Sequence, residues 1–118
     1  MKKSIEGDYQ VRIKLAEKVT ANRDTDITFE LADAKGTPVH DLEPIMGAGG
    51  HCVIISGDAK EFLHVHPVEQ VGSTWRGGPQ VTFMANFPRP GLYKIWGQFQ
   101  RKGGTITESF TVRVTDNS

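Results

Sequence analysis

Val81-Thr82-Phe83-Met84-Ala85-Asn86-Phe87-Pro88-Arg89-Pro90-Gly91-Leu92-Tyr93 is the stretch that decides the fold. Val81, Phe83, Ala85 and Phe87 alternate with Thr82, Met84 and Asn86, the period of a strand with one face in a core and the other in water. Two prolines and a glycine then make a tight corner, because proline cannot donate to a ladder and glycine reaches backbone conformations closed to other residues. A further run leaves the corner at Leu92 and continues to Gln100. Strand, corner and strand in so short a span predict antiparallel all-β structure.

The same period recurs outward from this stretch. Tyr9, Val11, Ile13 and Leu15 alternate with polar residues, and so do Ile27, Phe29 and Leu31. His51 to Ser56 and Phe62 to His66 flank a Gly-Asp turn and read as a hairpin. Gly103-Gly104 leads into a last strand whose Phe110, Val112 and Val114 face inward. Seven strands and no helix suggest a sandwich or a barrel, and the leading expectation is a seven-stranded immunoglobulin-like (Greek-key) β-sandwich, with Ile13, Ile54, Phe83 and Phe110 in its core. Tyr93 stands where such folds place a corner tyrosine bonded to backbone across the bend, although a tyrosine covering the sandwich edge fits equally well. The segment from Ala32 to Gly50 has little periodicity and reads as a long connection, a kind of loop that often carries function. A second glycine-rich loop runs from Gly72 to Pro79.

The 118 residues make one domain, 1–118, expected to be ordered from about residue 8 to 115. Fourteen basic and fourteen acidic residues cancel, so no net field draws nucleic acid or an anionic membrane. No apolar run approaches the ~20 residues of a membrane span. Met1-Lys2-Lys3-Ser4 carries the charges of a signal peptide without its hydrophobic region, which leaves open a cytosolic protein or one whose leader is missing. The one cysteine, Cys52, excludes an internal disulfide.

The chemistry concentrates in three histidines, His51, His64 and His66. His64 and His66 are two apart on a strand and share a face, with Cβ atoms about 6.5–7 Å apart. If the turn is the four residues Gly57 to Lys60, Ser56 pairs with Glu61. His51 then stands directly opposite His66, and Val53 opposite His64. Opposed Cβ atoms lie about 4.5–5.5 Å apart, so three imidazoles would converge on one patch. A one-residue slip would send His51 to the other face. Neutral imidazole is a good ligand for copper or zinc. The plainer alternative is a polar outward face.

Cys52 neighbours His51, points the other way and is expected in the core beside Ile54, where a thiol behaves as a small hydrophobe. Met46 and Met84 are secondary candidates whose thioethers would bias a site toward Cu(I), against the simpler roles of loop plug and gap filler. Trp96 falls on the side opposite Tyr93 and Ile95 and is placed to stack near a cation or merely to pack. His40 is an isolated loop histidine. Asp58 and Glu61 flank the hairpin turn, where Asp is expected for turn chemistry alone. No histidine follows His66, which argues against a blue-copper site drawing Cys, His and Met from one late loop. Nucleophile-elbow, phosphate-loop, dinucleotide and His-Glu-x-x-His signatures are missing.

Ala34-Lys35-Gly36-Thr37-Pro38-Val39, His51 to Ser56, Phe62-Leu63-His64-Val65-His66-Pro67, Phe87-Pro88 and Pro90-Gly91-Leu92-Tyr93 follow one another in an order that resembles bacterial secreted or membrane-anchored immunoglobulin-like domains. In these a histidine-led strand precedes a His-x-His-Pro segment. More loosely, the chain is similar to YtkA-like and CopC-like periplasmic domains associated with heavy-metal handling. The resemblance covers roughly residues 27 to 114 and touches His51, His64 and His66. It implies a β-sandwich, a periplasmic or extracellular location and a link to copper. The chain departs from the methionine-rich sites of some relatives, which leaves the copper oxidation state open.

The leading expectation is a non-catalytic copper carrier, buffer or sensor module, with zinc as another ion and a protein partner for metal transfer. The second is an interaction domain whose histidines are incidental. A zinc-dependent hydrolase ranks third, because nothing supplies an obvious general base.

Overall fold

The computed structural model describes residues 2–6 (backbone only), 9–63 and 65–116. These form nine strands: β1 (Lys2–Glu6), β2 (Tyr9–Lys14), β3 (Asp24–Asp33), β4 (His51–Ser56), β5 (Phe62–Leu63), β6 (His66–Pro67), β7 (Gln80–Asn86), β8 (Gly91–Arg101) and β9 (Gly104–Val114). There is no helix among the described residues. The strands make two sheets, one ordered β1-β2-β3-β7-β6 and the other β5-β4-β8-β9, with antiparallel pairing between all neighbours.

Nine strands correct the expected seven in two places. β1 has one apolar residue in Lys-Lys-Ser-Ile-Glu, so no alternation announces it, and it is specified by its ladder to β2. The strand expected from Phe62 to His66 is two short strands belonging to different sheets. Phe62 and Leu63 pair with Ile55 and Ile54, whereas His66 and Pro67 pair with Met84 and Phe83. Both pieces are sheet edges. An edge is the position proline tolerates, because its missing N–H leaves no ladder bond unmade on the open side.

The sheets close on the core that alternation predicts. Ile13, Ile54, Phe83 and Phe110 are all buried, together with Ile27, Phe87, Ile95 and Phe99. Phe29 is the hub, with ring centroids 5.3 Å from Phe99, 5.9 Å from Phe83 and 6.3 Å from Phe110. Gly97 makes room for it: a Cβ there would lie 2.7 Å from a Phe29 ring carbon.

Tyr93 is buried and forms the corner bond. Its hydroxyl donates to the Arg89 carbonyl at 2.8 Å and accepts the Arg89 N–H at 3.3 Å, while its ring packs edge-on against Phe87. The long connection from β3 to β4 is tied down along its length. Asp33 accepts the N–H groups of Lys35 and Thr37, each at 2.9 Å, and the Val39, Leu42 and Glu43 N–H groups reach the carbonyls of Leu31, Gly77 and Gln100. Val39 and Leu42 are buried, so this segment caps one end of the core. Arg101 joins it to β8 through Asp41 at 2.6 Å, a bond that holds the Asp41 carboxyl below the usual carboxylate range.

Candidate functional site

The β4–β5 turn has the geometry read from its four residues. The Ser56 N–H donates to the Glu61 carbonyl at 2.9 Å. Asp58 accepts the Ser56 hydroxyl at 2.6 Å and the Lys60 N–H at 3.0 Å, and the same hydroxyl accepts the Glu61 N–H at 2.9 Å. The Ser56 bond, then that of Lys60, lowers the Asp58 carboxyl below its ordinary value. Asp58 therefore has full employment as a turn residue. The resulting register, Ile54 with Leu63 and Ile55 with Phe62, is the one expected from the turn.

Among the described residues that ladder reaches Ile54–Leu63, and the pairing of His51 with His66 does not form. His51 instead pairs with Gln98 of β8, and His66 with Met84 of β7. Parity fixes where each points. Ile54 is fully buried, so His51, Val53 and Ile55 lie on the outer face of the four-stranded sheet. Phe83 is buried, so Met84 and His66 lie on the outer face of the five-stranded sheet. The physical reason is the crossing between sheets: it carries His66 away from β4 before the ladder reaches His51. His64 lies outside the described residues, so its place in the set is not described. Among the described residues, no group of three or more His, Cys, Asp or Glu side chains is placed to hold a metal ion.

What the crossing does create is a row along one face. Asp26 of β3, Met84 of β7 and His66 of β6 are successive cross-strand partners on the outer side of the five-stranded sheet. Directly opposed residues have Cβ atoms about 4.5–5.5 Å apart, within reach of a shared ion for a thioether and an imidazole. His66 and Asp26 are exposed and Met84 is half-buried. Met84 therefore belongs beside His66, a neighbour that the hairpin reading could not find because it assigned His66 to the wrong partner strand.

The remaining candidates separate cleanly. Cys52 pairs with Gly97 and packs against the core, where burial pushes its thiol up to about 12. A thiol so placed is a poor nucleophile and a poor metal ligand, because both roles need the thiolate. Met46 projects from its loop at 83% exposure, and His40 is exposed. Trp96 lies on the outer face of the four-stranded sheet and does meet a cation: the Lys94 ammonium sits 4.4 Å from its ring centroid.

The sequence reading also missed an apolar surface. Phe62, Leu92 and Trp96 are exposed, and half-buried Val53 and Ile55 lie on the same outer face. The signal was Cys52-Val53-Ile54-Ile55, an unbroken apolar run that cannot place all its members on one face of a strand.

Fold and placement together define an all-β sandwich of two antiparallel sheets. Residues 3–116 match the model of the family described as Domain of unknown function (DUF8832), and the chain belongs to that family. Among solved structures it is similar to a DUF4426 family protein from Pseudomonas aeruginosa PAO1, with a TM-score of 0.64, 15% identity and all of both chains covered. Likeness at that identity speaks to the fold alone. No curated protein matches in sequence.

Proposed function

We propose that this domain is a non-catalytic copper-binding module, with His66 and Met84 at the centre of its ligand set. The observation that carries the reading is their direct opposition across β6 and β7 on an outward face, with Asp26 next in the row. Imidazole and thioether together favour Cu(I), and the carboxylate at the end of the row offers a harder donor for Cu(II). His64 precedes His66 by two residues and is the next donor to test. His51, on the opposite outer face, stands apart from this pair.

The frame is proposed to be immunoglobulin-like. Taking β2, β3, β4, β7, β8 and β9 as the strands A, B, C, E, F and G of that fold, with β6 as D, reproduces its A-B-E-D and C-F-G sheets, and Tyr93 makes its corner bond. The resemblance to YtkA-like and CopC-like domains supports a location outside the cytoplasm and metal transfer to a partner protein. Cell fractionation decides the location, and recovery of the native protein in the cytosol would overturn it.

The ligand set is tested by competition titration with Cu(I), Cu(II) and Zn(II) on the parent, His66→Ala, Met84→Leu, His64→Ala and His51→Ala. His66→Ala should weaken copper at least about ten-fold, a loss of the size seen when a metal site is disturbed. Met84→Leu should weaken Cu(I) more than Cu(II), and His51→Ala should bind like the parent. If His66→Ala and Met84→Leu also bind like the parent, the metal reading fails.

A further inference from the structure

The outer face of the four-stranded sheet lies on the other side of the sandwich from the His66–Met84 row. Its centre is apolar: Phe62 is 72% exposed, Leu92 45% and Trp96 36%, with Val53 and Ile55 between them in the ladder. Contiguous exposed apolar surface of this kind marks sites of association. Toward β9 the face turns polar, because Thr107, Ser109 and Thr111 stand opposite Gln98, Trp96 and Lys94, and Arg113 stands opposite Leu92. An apolar, aromatic centre beside a hydroxyl-bearing rim is the anatomy of a protein-binding patch.

The charges on this face select the occupant. Of the outward-pointing residues in β4, β5, β8 and β9, the permanently charged ones are Lys94 and Arg113. No aspartate or glutamate occupies an outward position in those strands. Glu61, next to Phe62, is already engaged by Arg89 at 2.6 Å. Glu108 sits at an inward position and folds back onto the Ser109 N–H at 3.1 Å. A second copy stacked about a twofold would bring two lysines and two arginines against a surface with no carboxylate to meet them. Burying unpaired cations is costly. A partner that brings its own carboxylates removes that cost.

We propose that this face docks a protein segment in which aromatic or aliphatic residues are flanked by aspartate or glutamate. Phe62 and Trp96 supply the anchoring rings, and Lys94, stacked over Trp96, is the cation that selects acidic sequences. The proposal does not depend on copper, since the face shares no residue with the metal row.

The test selects short random displayed peptides on the intact chain. Peptides enriched on the parent should combine apolar and acidic residues. They should lose about ten-fold or more in affinity on Phe62→Ser and on Trp96→Ser, as anchor residues do. Lys94→Glu should shift the selected sequences from acidic to basic. All three positions are exposed, and circular dichroism melting confirms that each variant keeps its fold. Failure to enrich any peptide, enrichment without acidic bias, or equal binding to the serine variants overturns the proposal. So do a concentration-dependent dimer in sedimentation that Trp96→Ser abolishes, which gives the face to a second copy, and cosedimentation with phosphatidylglycerol vesicles that Phe62→Ser abolishes, which gives it to lipid.

Discussion

Replacing Gly97 by alanine inserts one methyl group at a crowded point of the sandwich core. The new Cβ would lie 2.7 and 2.9 Å from two Phe29 ring carbons and 3.0 Å from one of Phe99. Neither ring can retreat easily, because Phe29 is held edge-on by Phe83 and Phe99 and tilted against Phe110. Overpacking by a methyl(ene) typically costs about 1–3 kcal/mol. Alanine returns roughly 0.5–1 kcal/mol, because glycine loses more backbone freedom on folding. Contacts this short put the cost in the upper half of that range, so the net expectation is a loss of about 1–2.5 kcal/mol, or a fall in Tm of about 3–12 °C for a domain of this size. Urea denaturation should show a lower midpoint at an unchanged slope. The mechanism has a sharper consequence. Phe29→Leu, harmful in the parent, should be milder beside Gly97→Ala, because leucine vacates the space the methyl needs. A double-mutant cycle should therefore show a favourable coupling of about 1 kcal/mol. A Gly97→Ala midpoint equal to the parent's, or strictly additive double-mutant energies, would refute the placement of Phe29 against β8.

Tyr93→Phe removes the hydroxyl that spans the corner to Arg89 and should cost about 1–2 kcal/mol in urea denaturation, with no change in the β-sheet circular dichroism spectrum. Cys52 should resist thiol reagents in the native state and react at the free-thiol rate only in denaturant. Its folded pKa is raised from 9.0 to about 12, so its contribution to stability is fully present below about pH 9 and is lost as pH rises toward 12. Cys52→Ala should flatten that alkaline loss, and an unchanged pH–stability curve would place the thiol in solvent.

Most of the sandwich was legible because its strands have one buried face. Val11 and Ile13, Ile27 and Phe29, and Phe110 and Val112 are buried at alternate positions, so hydrophobic period and structure agree. Tyr93 was readable only as one of two alternatives, corner bond or edge cover, and the structure takes the first. β1 was not legible, because an edge strand can be set by backbone pairing with little demand on side chains. The expected pairing of His51 with His66 failed at a different level. The turn chemistry of Ser56, Asp58 and Glu61 specified the local register correctly. A local register says nothing about how far a ladder extends, and only tertiary packing moved His66 to β7.

That crossing decides which chemistry the histidine segment can perform. A continuous hairpin would align His51 and His66 as two imidazoles of one strand pair. The pairing of His66 with β7 instead gives it a thioether neighbour, while Phe62 stays paired with Ile55 at the centre of the other outer face. One edge segment thus feeds both surfaces of the sandwich. Strand alternation keeps them separate: outer positions on the two sheets are divided by two backbones and a core about 10 Å thick. The two proposed activities should consequently be separable by mutation. Trp96→Ser should bind copper like the parent, and Met84→Leu should bind the selected acidic peptides like the parent. If Trp96→Ser instead weakened copper as much as His66→Ala does, the two outer faces would not be independent. The assignment of His66 and Trp96 to opposite sheets, on which both proposals stand, would then have to be abandoned.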